Sequence, residues 1–168
     1  MQKETQKIKL YLDTSVISHI DAPHKPVEER MTRAFYQFVE ERSNEYELVI
    51  SPVVDLEVRN CPGEKKFRLL ALIDRMNFVQ LPENREALDL ANTYVEYNVR
   101  TERHIRDLTH VAYATVSRCD FVVSWNMKHL ANPRTIVRAN AVNRLKNYCS
   151  ISIVTPQIII GEEHDAEV

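Results

Sequence analysis

Four oxygen-bearing side chains stand at the margins of apolar stretches, where a polar group needs a reason. Asp13 directly follows the apolar run IKLYL, Glu57 interrupts a Val54/Val58 stripe, Asp107 borders an arc of Ile105, Leu108 and Val111, and Asn126 follows FVVSW. Each has an ordinary structural explanation. Asp13 can cap a helix, Glu57 can lie along a surface in an ion pair, Asp107 can favour a helix dipole and Asn126 can serve a turn. Brought together, three carboxylates would repel one another unless a cation sat between them. Carboxylate and carbonyl oxygens are the donors that hard divalent ions prefer, and Mg²⁺ or Mn²⁺ held this way keeps several waters. Such an ion activates water and neutralises charge on a phosphoryl group, which is the chemistry of phosphodiester hydrolysis.

The elements that must gather these residues follow from the apolar periodicity. Residues 8–12 read as a buried strand, and 16–20 as a short helix with the hydroxyls of Thr14 and Ser15 at its start. Residues 27–42 form an amphipathic helix whose expected buried face is Met31, Ala34, Phe35, Phe38 and Val39. A second strand at 47–51 runs into a helix opened by Pro52 and stopped at Cys61-Pro62-Gly63. Further helices are expected at 67–76, after Pro82 (Ala87, Leu88, Ala91, Tyr94 and Val95 on one face), at 105–116 and at 134–146. Short strands are expected at 78–81, 121–124 and 151–154. Ile158, Ile159 and Ile160 read as a candidate edge strand or contact patch. Strands alternating with helices, several of them continuous apolar runs, predict a three-layer α/β sandwich around a mainly parallel five-stranded sheet. In such sheets ligands lie beyond the carboxyl ends of the strands, where Asp13, Glu57 and Asn126 would fall.

The 168 residues suit one domain spanning 1–168, with a core of about 7–155 and an acidic tail at 161–168. Only 2 glycines exclude both a Walker loop and a GxGxxG loop. A net charge of −2 excludes a highly basic nucleic-acid sleeve but not a local basic patch. The 3 cysteines lack a CxxC pair, and the 6 histidines show no paired zinc spacing. With no apolar run of about 20 residues and no signal-peptide core, the expectation is a soluble cytoplasmic protein without a membrane span.

Four stretches carry a resemblance to PIN-domain ribonucleases. Tyr11-Leu12-Asp13-Thr14-Ser15-Val16 resembles their first motif, and Ser51-Pro52-Val53-Val54-Asp55-Leu56-Glu57-Val58 their second. Asp107-Leu108-Thr109-His110-Val111-Ala112-Tyr113-Ala114 is similar to the third, and Cys119-Asp120-Phe121-Val122-Val123-Ser124-Trp125-Asn126 to the fourth, whose usual last residue is Asp. The likeness runs from about Lys7 to Val154. It implies a five-stranded parallel sheet and a Mg²⁺- or Mn²⁺-dependent endoribonuclease, often the VapC-like toxin of a toxin–antitoxin pair. By the same likeness Asp13, Glu57, Asp107 and Asn126 would be catalytic and hold the metal, with Thr14, Ser15 and Ser124 in support. A homodimer and an antitoxin protein are implied as partners. Asn126 is the departure: an amide oxygen coordinates without bringing charge, so a second metal would bind more weakly. The stretch Trp125-Asn126-Met127-Lys128-His129 resembles a Trp-Asn-x-Lys-His variant of that motif.

Between Asp120 and Glu162 there is no acidic residue, while Lys128, Arg134 and Arg138 fall inside the interval. They form an expected RNA-binding flank, against the plainer reading of a solvated helix face. Trp125 is expected against the sheet edge rather than stacked on a base, and His110 and His129 as structural residues before phosphate ligands. Asp120, which precedes its strand, belongs at the opposite end from the metal. Two other functions remain open: a haloacid-dehalogenase-like phosphatase with Asp13 as nucleophile, for which Ser15 stands where a second Asp is usual, and a non-catalytic PIN-like binding domain with an impaired metal site.

Overall fold

A computed structural model describes residues 6–164, with side chains described as far as Gly161. The acidic tail residues Glu162, Glu163, Asp165 and Glu167 therefore lie outside the described side chains. The strands are β1 (Ile8–Leu12), β2 (Tyr46–Ile50), β3 (Val79–Gln80), β4 (Phe121–Val123) and β5 (Ser152–Val154). The helices are α1 (Thr14–Ser18), α2 (Pro26–Glu41), α3 (Pro52–Arg59), α4 (Lys65–Arg75), α5 (Arg85–Glu96), α6 (Ile105–Val116), α7 (Pro133–Leu145) and α8 (Pro156–His164). All five strands are parallel, in the order β3-β2-β1-β4-β5.

The period-two alternation of the strands supplies two cores, one per face. Tyr11, Val49, Val122 and Ile153 pack with residues of α5, α6 and α7, among them Leu90, Tyr94, Leu108, Val111 and Val142. Leu10, Leu12, Leu48, Ile50 and Val123 face the other way, against Val16, Phe35, Val54, Leu69 and Ile160 from α1, α2, α3, α4 and α8. The molecule is thus a three-layer α/β sandwich. Burial on both sides explains why the strands read as unbroken apolar runs. No helix among the described residues is long and apolar enough to cross a membrane.

Local chemistry sets the ends of the helices. Proline occupies the first turn of α2, α3 and α7, where its missing N–H costs nothing. The Asn84 carboxamide caps α5 by accepting from the Glu86 and Ala87 amides, and Asn132 caps α7 through the Arg134 amide.

Three expectations need correction. On α2 the buried face is Thr32, Phe35, Tyr36 and Val39, whereas Ala34 is exposed. Two polar anchors turn that face inward: Thr32 accepts from Trp125 Nε1 at 2.8 Å, and the Tyr36 hydroxyl donates to the Val16 carbonyl at 3.3 Å. On α5, Leu90 is buried and Leu88 is exposed. The three isoleucines form no edge strand. After Pro156 the chain coils into α8, which buries Ile160, half-buries Ile159 and leaves Ile158 exposed.

Candidate active site

The strand order places the topological switch between β1 and β4, because the chain leaves β1 toward β2 on one side and returns to β4 on the other. In open α/β sheets this crevice, at the carboxyl ends of the strands, is where ligands bind. Leu12 pairs with Val123 across it, and the ladder runs one step further through Asp13 N–H to the Val123 carbonyl at 3.2 Å. Asp13 and Ser124 consequently stand side by side at the switch, and the Ser124 hydroxyl donates to Asp13 Oδ2.

Asp13 is buried, with 4% of its surface exposed. Its Oδ1 accepts from the Ser15 and Val16 amides at 3.0 and 3.3 Å and from the Ser15 hydroxyl, so it caps α1. Burial raises its pKa; the charge of His110 and the donors Ser124, Ser15 and Val16 pull back without cancelling the rise. The Ser15 oxygen also accepts from Trp125 N–H at 2.8 Å, and Ser124 Oγ from Asn126 N–H at 2.9 Å, tying α1 to the loop after β4.

Glu57 comes from α3 and meets this cluster through Thr14, whose hydroxyl donates to Oε2. The same oxygen lies 3.3 Å from His110 Nε2, and His110 Nδ1 lies 2.8 Å from the Tyr11 hydroxyl, itself 2.7 Å from Ser51 Oγ. A carboxylate can only accept, so His110 donates to Glu57 through Nε2, while its Nδ1 meets the Tyr11 hydroxyl. Burial holds the Tyr11 phenol well above its ordinary pKa, so it stays a donor at neutral pH. Burial pushes Glu57 up, but the His110 hydrogen bond and charge, the Thr14 hydroxyl and the charge of exposed Arg106 bring its pKa below the ordinary value.

Asp107 lies in the first turn of α6. Its Oδ1 accepts from Asn126 Nδ2 at 3.2 Å, and its Oδ2 stands 3.4 Å from His104 Nδ1. The Asn126 oxygen accepts from His129 N–H at 3.0 Å. Hydrogen bonds thus run from Asp13 through Ser124 and Asn126 to Asp107, while Thr14 joins Asp13's helix to Glu57.

A carboxylate offers about four lone-pair sites. The bonds just described leave acceptor capacity on Asp13 Oδ2, Glu57 Oε1 and both oxygens of Asp107, so the donor set suits a hard, oxygen-seeking cation. Among the described residues no three His, Cys, Asp or Glu side chains already form a metal-holding group. Mg²⁺ is commonly held through one or two carboxylates and several waters, and does not need three protein ligands at bonding distance.

The basic flank is more dispersed. Lys128, Arg134 and Arg138 are exposed, and Arg138 Nη1 donates to the Asn98 carbonyl at 3.2 Å. Trp125 is half-buried in the second-face core. Asp120 lies at the amino end of β4, where its carboxylate accepts from Lys9 N–H at 2.7 Å. The sequence reading missed Tyr11, Ser51 and His104. His104 carried a usable signal, since it precedes Asp107 by three residues, as His110 follows it by three. A scan against protein-family models finds no match for this chain, and a search of curated proteins likewise returns no significant match.

Proposed function

We propose that this protein is a metal-dependent endoribonuclease that hydrolyses phosphodiester bonds of single-stranded RNA, with Asp13, Glu57, Asp107 and Asn126 forming the site. The observation that carries this reading is the meeting of Asp13 and Ser124 at the β1/β4 switch, with Asp107 joined to them through Asn126 and Glu57 through Thr14. A Mg²⁺ or Mn²⁺ ion held by Asp13, Glu57 and Asp107 would supply an activated water and offset charge on phosphorus. Ser15 and Ser124 orient Asp13, and the Tyr11–His110 pair with Thr14 orients Glu57. Lys128, Arg134 and Arg138 would hold the strand by its phosphates. The free thiols of Cys61, Cys119 and Cys149 suit a reducing cytoplasm. Membership of the PIN-domain family, a VapC-like toxin role, an antitoxin partner and a homodimer belong to the same proposal.

The test is cleavage of a labelled single-stranded RNA. Cleavage is expected with Mg²⁺ or Mn²⁺, yielding 5′-phosphate ends, and is abolished by EDTA, Asp13→Asn or Asp107→Asn. Cleavage that persists in EDTA would overturn the mechanism.

A second reading, a non-catalytic RNA-binding or interaction domain, is favoured by two observations. The described residues lack a preformed metal-holding group, and Asn126 brings no charge where a fourth carboxylate would. RNA binding with no cleavage under any divalent ion would select it.

A further inference from the structure

Several exposed arginines of this protein are already answered by an acid. On α3 itself Arg59 closes on Asp55 at 2.7 Å, and on α5 Arg85 closes on Asp89 at 3.0 Å. Arg106 is different. It is exposed in the first turn of α6, directly before Asp107, and among the described residues it makes no hydrogen bond and no ion pair.

The helix sets which way it faces. Arg106 and His110 are four residues apart and share a face of α6, and His110 Nε2 lies 3.3 Å from Glu57 Oε2. Arg106 is therefore one turn above His110 on the side of Glu57. Asp107, which accepts from Asn126 at 3.2 Å, fixes this turn at the carboxyl edge of the sheet. Helical side chains tilt toward the helix N-terminus, so Arg106 leans outward, to the mouth of the crevice. Its charge reaches Glu57 and favours the carboxylate. It does not close on that carboxylate, however. The Thr14 and His110 contacts both fall on Oε2, and Oε1 accepts from no described residue. Guanidinium and carboxylate pair readily when they meet. Here they stand apart, and Arg106 keeps all five N–H donors for an incoming group.

We propose that Arg106 is a substrate-binding residue of this site, donating to non-bridging oxygens of the phosphate that lies among Asp13, Glu57 and Asp107. Three carboxylates repel a phosphodiester, and a planar guanidinium on the Glu57 wall offsets that repulsion while matching the phosphate geometry. That this phosphate is the one cleaved rests on the ribonuclease reading; that Arg106 binds a phosphate of the strand does not.

The first test is binding of a short fluorescent single-stranded RNA, followed by anisotropy in EDTA over a range of salt, so that cleavage plays no part. Arg106→Gln is expected to weaken binding several-fold and to lower the slope of log affinity against log salt by about 0.7, the share of one phosphate contact on a single strand. Arg106→Lys, which keeps the charge, should keep the slope. Wild-type affinity and slope in Arg106→Gln would make this a solvated surface cation and overturn the proposal. The Arg106 ¹⁵Nε signal of the unmodified protein gives a reading that no folding defect can confuse: it should move when RNA is added, and a signal that stays still overturns the contact. The second test is single-turnover cleavage at saturating RNA with Mg²⁺. Arg106→Gln is expected to slow it at least about tenfold, as loss of a charged donor to the reacting phosphate does. A wild-type rate would overturn the assignment to that phosphate. RNA binding that depends on Arg106, with no cleavage by the wild type, would keep the contact and remove the ribonuclease. Cleavage by the wild type with Arg106→Gln indifferent in both tests would do the reverse.

Discussion

Asp13 holds two positions at once: it caps α1 and sits buried at the switch beside Ser124. The cap could be served by a neutral Asn; the buried charge could not be justified by capping alone. Because burial raises its pKa, the sign of the linkage is set. Its contribution to stability is fully present below its ordinary value, near 3.8, and is lost as pH rises through the higher folded-state value. Asp13→Asn should therefore melt above the wild type at pH 7, with the gap closing toward pH 4, while cleavage is lost. Equal melting temperatures across that range would show that the charge carries no penalty. Glu57 has the opposite sign: its depressed pKa contributes stability above its ordinary value that disappears as pH falls through the lower one. Tyr11→Phe should cost about 1–3 kcal/mol in urea unfolding, since it strands buried partners on His110 and Ser51. The acidic residues were legible because each breaks an apolar pattern. Their supports were not: Tyr11 to His110 is a long-range contact with no local signature.

At the scale of elements, strand and helix identities were readable from periodicity, whereas helix rotation was not. Thr32 is buried on α2 because Trp125 donates to it from the other side of the switch, and no pattern within α2 reports a partner in another loop. The isoleucine run shows the ambiguity of short apolar stretches most clearly. A strand would place Ile158 and Ile160 on one face, while a helix separates them. Ile160→Ala should cost about 2 kcal/mol or more, and Ile158→Ala should stay within about 0.5 kcal/mol; equal losses would restore the edge strand. For α7, Arg134→Ala combined with Arg138→Ala should raise KM for RNA several-fold and flatten its salt dependence with little change in kcat. A fall in kcat with KM unchanged would instead place these arginines near the reacting phosphate.

For the whole molecule, the parallel order β3-β2-β1-β4-β5 does the gathering. Alternating strands and helices made a layered α/β sandwich legible, since only cover on both faces accounts for continuous apolar strands. The β1/β4 crevice was not legible, because strand order depends on which crossovers reverse direction. It is this reversal that brings Asp13 from the start of the chain to Ser124 and, through Asn126, to Asp107. The account stands on a divalent ion belonging among those oxygens, and calorimetric titration with Mn²⁺ tests it most directly. Saturable binding is expected for the wild type and its loss in Asp13→Asn, Glu57→Gln and Asp107→Asn, each still folded. No heat of binding, or binding that all three variants retain, would contradict it.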